Sequence, residues 1–422
     1  MKKELKNFFE PEAIAVIGAS DNPKKVGNSL MKNLTNYKGK IIPINPNHKE
    51  IFGKKCYPEV NNYEGEIDLA IIAIPSQFVL ESVRECGEKG IKEIIIISSG
   101  FSEVGNFELE KKLTEICEKY RINLLGPNCF GVANPHKNLD ITFSKTSAQK
   151  GEIAFISQSG ALWSYVSDYS IDKVGFSGFV SLGNMAGLNF SDFIEYFEND
   201  KNTKTIILYI ERLKDGKKFI ETCKKSKKLI IAIKSGKSEK GSKAAISHTG
   251  SLATDFKVYQ GAFKQAGVKS ADCLFSALNF SRMKIKPKGK KVLIITNAGG
   301  AGALETDSCF EKGLDIIDLP EKFKLNNPID LLGTAVAQDY ENFLNKIEKE
   351  NFYDSVIVLL TPQKMTEPEK TAEAIVKFSK TKCVVACFLG GKTLEKARKI
   401  LEDNDVPCLE QIGQASEILK IG

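Results

Sequence analysis

The chain has 422 residues, more than one ordinary hydrophobic core accommodates, and implies two to four domains. Its 42% hydrophobic and 27% charged content is that of a soluble globular protein, and no run nears the ~20 apolar residues a membrane span needs. The net charge of +7 does not mark a nucleic-acid binder, because 55 of the 60 basic residues are Lys, dispersed among acids with no basic stripe interleaved with aromatics.

The N-terminus, MKKELKNFFEPEA, places acidic residues where a signal peptide needs an apolar stretch, so a cytoplasmic protein is expected. Ten cysteines are scattered without a CxxC pair and several sit in apolar runs, which predicts buried free thiols and neither disulfides nor zinc.

In chain order, the first third alternates apolar runs at 13–18, 40–46, 67–75, 93–100 and 122–128 with helical stretches near 27–35, 76–89 and 106–119. Continuous β-branched runs bounded by Gly, Pro or Asn and separated by helices predict a doubly wound parallel sheet. Ligands bind such sheets beyond the carboxyl ends of the strands. Those ends carry Gly18-Ala19-Ser20, Pro43 to Pro46, Pro75-Ser76-Gln77, Ser98-Ser99-Gly100 and Gly126-Pro127-Asn128. A polar connector, 135–151, leads to a second block with strands at 152–157, 175–183, 205–211 and 228–236 and helices near 160–172, 189–198 and 214–226. The basic, Pro- and Gly-broken stretch 281–291 reads as a linker. A third block follows, with strands at 291–297, 354–362 and 382–390.

Four stretches carry candidate chemistry. GASDNPKKVGN, 18–28, puts a glycine at a strand end and another at a helix start, which serves either a phosphate approach or a plain strand-to-helix turn. Its spacing is not GxGxxG, and INPN offers no acid to hold ribose hydroxyls before Glu50, which weighs against an NAD-linked oxidoreductase. ISQSGALW places Ser159 and Gly160 at a helix start whose free N–H groups suit an anion or a simple cap; the G-x-S-x-G elbow of serine hydrolases is absent because residue 157 is Ser. GGKT, 390–393, fails as a Walker A motif because Ala386 stands where it needs glycine, whereas TNAGGAGALETD, 296–307, suits either an anion-ready turn or close helix packing. Finally, ISHTGSLA holds His248, one of three histidines, flanked by Ser247, Thr249 and Gly250. A neutral imidazole is a competent nucleophile near pH 7 when a carboxylate fixes its tautomer, and Glu211, ending the strand TIILYIE, is a carboxylate at the ligand-binding edge.

Taken in order, GAS...KKVG, INPN, IPSQ, SSGFSEVG, LLGPNCFGV, SQSGAL, SLGN, YIE and SHTGSLA closely resemble the α subunit of ADP-forming (NDP-forming) acetyl-CoA synthetase, a relative of the succinyl-CoA synthetase α subunit. The resemblance implies an α/β chain of three tandem domains: a CoA-binding Rossmann-like domain (1–129), a flavodoxin-like ligase domain with a phosphohistidine (130–284) and a second flavodoxin-like domain (285–422). It implies His248 as the phosphohistidine, Glu211 as the carboxylate that steadies it, and Ser159 and Gly160 as the helix start that cradles phosphate, beside Ser247, Thr249 and Gly250. Gly18, Ser20, Lys24, Lys25, Asn45, Ile74, Pro75, Ser98 and Ser99 fall in the segments that hold coenzyme A. Asn128 and Cys129 match the loop facing the thiol and acyl group, and Gly183 and Asn184 fit the acyl pocket; Asn297, Gly299 and Gly300 resemble the glycine-rich turn of the third domain.

The implied reaction interconverts acyl-CoA, ADP and inorganic phosphate with acid, CoA and ATP. ATP/ADP and Mg²⁺ are expected on an ATP-grasp β subunit, in an α₂β₂ assembly, since no ATP-grasp segment is recognisable within the 422 residues and no carboxylate cluster suggests a metal site in this chain. Acyl-CoA and a small carboxylic acid are the expected partners, without nucleic acid or membrane. The competing expectations are the NAD-binding oxidoreductase and a non-catalytic CoA-binding regulatory protein.

Overall fold

Strands β1 (Ala13–Ile17), β2 (Lys40–Ile44), β5 (Leu69–Ile72), β6 (Glu93–Ile96) and β7 (Asn123–Leu125) form a parallel sheet in the order β2-β1-β5-β6-β7. In this computed structural model, which describes residues 5–241 and 255–422, the sheet is buried on both faces, which is why its strands read as unbroken apolar runs. Ile14, Val16, Leu69 and Ile71 enter one core and Ala15, Ile17, Ala70 and Ile72 the other. Helices α1 (Val26–Asn33), α2 (Val79–Lys89) and α3 (Phe107–Tyr120) connect these strands, and a short hairpin, β3 (Glu50–Ile51) with β4 (Lys54–Lys55), follows β2.

The second sheet has seven strands in the order β14-β13-β12-β10-β11-β8-β9. Its members are β8 (Gly131–Asn134), β9 (Leu139–Thr142), β10 (Lys150–Ser157), β11 (Phe176–Ser181), β12 (Thr205–Ile210), β13 (Leu229–Lys234) and β14 (Lys269–Ser270), with α4 (Ala161–Tyr169), α5 (Phe190–Asn199) and α6 (Gly216–Lys225) in the crossovers. The stretch expected as a polar connector is different: β8 and β9 pair antiparallel through Val132↔Ile141 and Ala133↔Asp140, and β8 continues antiparallel onto β11. The cause is the burial of Leu139 and Ile141, and the polar Asp140 and Thr142 go inside with them because they satisfy each other. Asp140 Oδ1 accepts from Thr142 N at 3.1 Å and from Thr142 Oγ1 at 2.6 Å.

The third sheet, β16-β15-β18-β19-β20 with β17 beside β15, is built from β15 (Lys291–Thr296), β16 (Asp315–Ile316), β17 (Ile329–Asp330), β18 (Ser355–Leu360), β19 (Val384–Phe388) and β20 (Cys408–Leu409). It has its own core, centred on Leu293, Ile295, Val356, Val358 and Phe388. The chain gathers into two compact units, Met1–Ser270 with the first two sheets and Ala271–Gly422 with the third. The helix Leu274–Arg282 belongs to the second unit, so the break precedes the stretch read as a linker.

Two strands of the first unit are topological switch points. β1 lies between β2 and β5, and β10 between β11 and β12, so crossovers leave to opposite sides and open a crevice at each carboxyl end.

Candidate functional site

A cleft of about 550 Å³ opens where strand ends of the first two sheets converge. The first sheet contributes Ala73, Ile74 and Pro75 after β5, Ile97, Ser98 and Ser99 after β6, and Asn128, Cys129 and Phe130 after β7. The second contributes Phe143 after β9 and Gln158, Ser159, Gly160 and Ala161 after β10; Val26 opens α1 at the rim. Of the residues expected to hold coenzyme A or phosphate, Ile74, Pro75, Ser98, Ser99, Asn128, Cys129, Ser159 and Gly160 thus share one space. A larger hollow, about 720 Å³ and lined by Lys6, Asp192 and Tyr196 among others, contains none of the candidate residues.

Backbone proximity builds the phosphate-sized turn after β1. Gly18 adopts φ +92°, and a Cβ there would lie 2.4 Å from the Ala73 carbonyl oxygen; a Cβ on Gly27 would lie 2.0 Å from the carbonyl oxygen of Gly18. Glycine at both positions lets the start of α1 sit against the end of β1. Ser20 is buried and its Oγ accepts from Asn22 N at 3.1 Å, while Asn22 Oδ1 accepts from Lys24 N at 3.0 Å. Lys24 and Lys25 stand exposed on this turn. Asn45 donates to the Ala19 carbonyl at 2.8 Å and accepts from Asn47 N at 3.0 Å, so the end of β2 braces the turn and presents no acid.

Ser98 is occupied: its Oγ accepts from Ile74 N at 3.1 Å and also bonds the Ile74 carbonyl, which fixes the loop after β5. Asn128 is exposed, with φ +56° and its N–H on the Ser98 carbonyl at 3.0 Å. Cys129 is 4% exposed and its thiol donates to the Ile96 carbonyl at 3.2 Å. Burial pushes that thiol up to about 12, which removes it as a nucleophile at physiological pH. The apolar wall beside it is Phe130 against Phe143, ring centroids 3.8 Å apart.

At the switch point of the second sheet, Ser157 Oγ accepts from Ser159 N at 3.1 Å and donates to the Ser159 carbonyl at 2.7 Å, holding the turn into α4. Gly160 is required by Phe130, whose Cβ would be 2.5 Å from an added methyl. Gln158, only 8% exposed, reaches to the end of β12, where its Oε1 accepts from Glu211 N at 2.7 Å and from Arg212 N at 2.8 Å. The helix start and Glu211 are therefore joined through one side chain, and Lys234, the buried last residue of β13, pairs in register with Ile210. Burial lowers the Lys234 ammonium and the Glu211 charge opposes that shift.

Gly183 and Asn184 do not line the cleft. Gly183 has φ +54° and a Cβ there would lie 2.2 Å from the Pro127 carbonyl oxygen. Asn184 is buried, its N–H on the Pro127 carbonyl at 2.9 Å and its Nδ2 2.6 Å from Glu103 Oε2 and 2.8 Å from Glu110 Oε2. Burial raises the Glu103 carboxyl, but the Asn184 amide and the Gly100 and Phe101 N–H groups outweigh it and leave it below the usual carboxylate range. His248, Ser247, Thr249 and Gly250 lie outside the described residues. Of the other two histidines, His136 pairs its Nε2 with the Gly151 carbonyl at 2.8 Å. In the second unit, Asn297 is fully used within the fold, its amide bonded to Thr361 and Gln363.

The sequence reading passed over Gln158 as a site residue and missed Phe130 and Phe143. Gln158 carried a signal, being a large polar residue between a buried strand and a glycine; Phe143 carried none within a stretch read as connector. Among the described residues, no group of three or more His, Cys, Asp and Glu could hold a metal ion, and no helix is long and apolar enough to cross a membrane.

Residues 12–135 match the CoA binding domain family and residues 150–283 the succinyl-CoA ligase-like flavodoxin domain. The chain is 44% identical to the alpha subunit of ADP-forming acetate–CoA ligase II of Pyrococcus furiosus, over 96% of this chain and 94% of that one. It is 38% identical to ADP-forming acetate–CoA ligase I of Archaeoglobus fulgidus over 96% of its length, yet spans only 61% of that longer protein. A solved structure of dinucleotide-forming acetyl-coenzyme A synthetase 1 from Ca. Korarchaeum cryptofilum, in complex with phosphate and ADP, superposes with a TM-score of 0.91 at 35% identity, covering 99% of this chain and 96% of that one. With strand ends that leave no acid for a nicotinamide ribose and a ligase likeness along its whole length, the chain belongs to the ADP-forming acetate–CoA ligase family.

Proposed function

We propose that this chain is the alpha subunit of an ADP-forming acetate–CoA ligase, binding acyl-CoA in the cleft between its first two sheets and relaying phosphorus through His248 to a nucleotide on a separate ATP-grasp subunit. The observation that carries the reading is the convergence of strand ends from both sheets of the first unit on one cleft, lined by Ser98, Asn128, Ser159 and Gly160. The pantetheine and acyl end of the substrate lies along the Phe130 and Phe143 wall, and its phosphates lie at the Gly18 turn beside Lys24 and Lys25.

The chemistry divides one difficult transfer into smaller steps. An oxygen of inorganic phosphate, held at the Ser159–Gly160 helix start, attacks the thioester carbonyl carbon; the C–S bond breaks, the thiolate leaves and takes a proton, and an acyl phosphate remains. The neutral imidazole of His248 then attacks phosphorus, the P–O bond to the acyl group breaks, and acetate leaves. Glu211 holds the proton on the other ring nitrogen and stabilises the positive charge that forms there. The β-phosphate oxygen of ADP finally attacks the phosphohistidine, releasing the imidazole. Nucleotide and Mg²⁺ enter with the partner subunit, in an α₂β₂ assembly that stays in the cytoplasm. What supports a separate partner is the likeness to the Pyrococcus protein named as a subunit alpha, which shares 44% identity with this chain.

The test is acetyl phosphate labelled with ³²P, given to the purified chain, and acetyl-CoA turnover with ADP and phosphate by the chain with its partner. Acid-labile, base-stable label that disappears in His248→Ala, together with loss of turnover, is expected. Turnover that survives in His248→Ala overturns the mechanism, and CoA binding without any label favours a CoA-responsive regulatory protein instead.

A further inference from the structure

Arg212 is one residue beyond Glu211 and closes a ring of hydrogen bonds that begins and ends in the cleft. Gln158, a cleft residue, accepts the Glu211 and Arg212 N–H groups on a single oxygen, at 2.7 and 2.8 Å. The Arg212 guanidinium donates through Nη2 to the Asn184 carbonyl at 3.1 Å. Asn184 in turn accepts on Oδ1 from Asn128 Nδ2 at 3.3 Å, and Asn128 is again a cleft residue. Four loops from two sheets, those after β7, β10, β11 and β12, are thereby tied together, and Leu213 N–H on the Tyr259 hydroxyl at 3.3 Å extends the tie by one residue.

Two consecutive N–H groups on one acceptor fix the orientation of the Glu211–Arg212 peptide, and a guanidinium anchored on a carbonyl keeps that peptide from turning. The direction in which the Glu211 carboxylate leaves the strand depends on both restraints. The charges that face the segment are Lys234 from β13, whose ammonium the Glu211 charge favours, Lys214 in the same loop, and Glu103 and Glu110, which are engaged by the Asn184 amide. Burial and the neighbouring Arg212 charge both lower the Lys214 ammonium, so the loop gathers like charge that would separate if the guanidinium were not held.

We infer that Arg212 is a positioning residue, which acts through Glu211 by locking the loop after β12 to Asn184 and so couples that carboxylate to the acyl-CoA cleft. The inference rests on the proposed role of Glu211 as the partner of the phosphoryl-carrying imidazole. A displacement of about 1 Å at a reacting group costs on the order of 10² in rate, so partial release of the loop is expected to cost about 10-fold.

The experiment compares single-turnover rates of ³²P transfer from acetyl phosphate to the full chain for the wild type, Glu211→Gln, Arg212→Met and the double variant, with the apparent KM for acetyl phosphate measured in each. Label on the wild type that forms measurably but much more slowly in Glu211→Gln establishes the underlying reading; no label on the wild type, or an unchanged rate in Glu211→Gln, defeats that reading itself. Given both, Arg212→Met is expected to be about 10-fold slower at unchanged KM, and the double variant no slower than Glu211→Gln, since two residues acting through one group are not additive. Arg212→Lys, which keeps a donor for the Asn184 carbonyl, is expected to recover most of the rate. Should Arg212→Met fail to fold, Gln158→Met breaks the same ring and is expected to show the same non-additivity with Glu211→Gln. A wild-type rate in Arg212→Met, or losses that multiply in the double variant, overturns the inference.

Discussion

At the scale of single residues, the site is governed by positions where a side chain is either forbidden or already spent. Gly27 has no room for a methyl group, because its Cβ would lie 2.0 Å from the Gly18 carbonyl oxygen and 3.2 Å from the Ala19 Cα. Both obstacles are backbone, so Gly27→Ala must push α1 from β1, at a cost of roughly 1–3 kcal/mol. The expected result is a lower denaturation midpoint together with weaker binding of CoA by titration calorimetry; a variant with wild-type affinity would show that the turn has no part in the cofactor site. Cys129 is a residue already spent. Its thiol is buried on the Ile96 carbonyl and pushed up to about 12, so iodoacetamide at pH 8 is expected to leave it unalkylated in the folded chain, as peptide mass mapping would read. Modification of Cys129 at the rate of a free thiol would contradict this burial. Its place in the LLGPNCFG motif thus reflects packing below the loop, with Asn128 above it exposed to the cleft.

At the scale of elements, the parallel strands were legible because burial on both faces leaves an unbroken apolar run, as in AIAVI and LAII. The strand ends were legible for the same reason, and eight of the residues expected there line one cleft. The β8–β9 hairpin was not legible. Its inward Leu139 and Ile141 alternate with Asp140 and Thr142, a pattern that suggests one wet face, yet all four are buried through the local Asp140–Thr142 bonds. Nor could sequence show that Asn184 spends its amide on Glu103 and Glu110, 81 and 74 positions earlier, which depends on loops meeting across two sheets, or that Gln158 reaches Glu211, which depends on β10 and β12 being neighbours in one sheet. The hairpin bears on the proposed acyl-CoA site because it delivers Phe143 against Phe130. Phe143→Ala removes one side of this apolar wall, worth about 1 kcal/mol beyond area burial, and is expected to raise KM for acetyl-CoA roughly 5-fold with little change in kcat. A drop in kcat at constant KM would place the ring against the reacting atoms instead.

At the scale of the whole molecule, each compact unit has its own core, one around the first two sheets and one around β15, β18 and β19, so calorimetry is expected to resolve two unfolding transitions. They can be assigned by variants that touch one core each. Gly27→Ala acts within the first unit and is expected to lower only its transition. In the second unit, Glu305 is fully buried on the helix Gly299–Glu311 and accepts from Gly413 N at 2.7 Å and Ser416 N at 3.1 Å, pinning the helix Gln414–Leu419. Burial raises its carboxyl above the ordinary 4.5, while those two N–H groups oppose the shift without cancelling it. Between the unfolded and the folded value the native state holds the proton more tightly than the unfolded chain does. The associated stabilisation is therefore complete below about pH 4.5 and is lost as pH rises through the raised folded value. Glu305→Gln cannot ionise, so the second transition of the variant is expected to fall less than that of the wild type as pH is raised from 4.5, while the first transition responds identically in both. Equal pH slopes for the second transition would mean that the buried carboxyl does not titrate across this window, and a single merged transition would mean that the two units unfold as one.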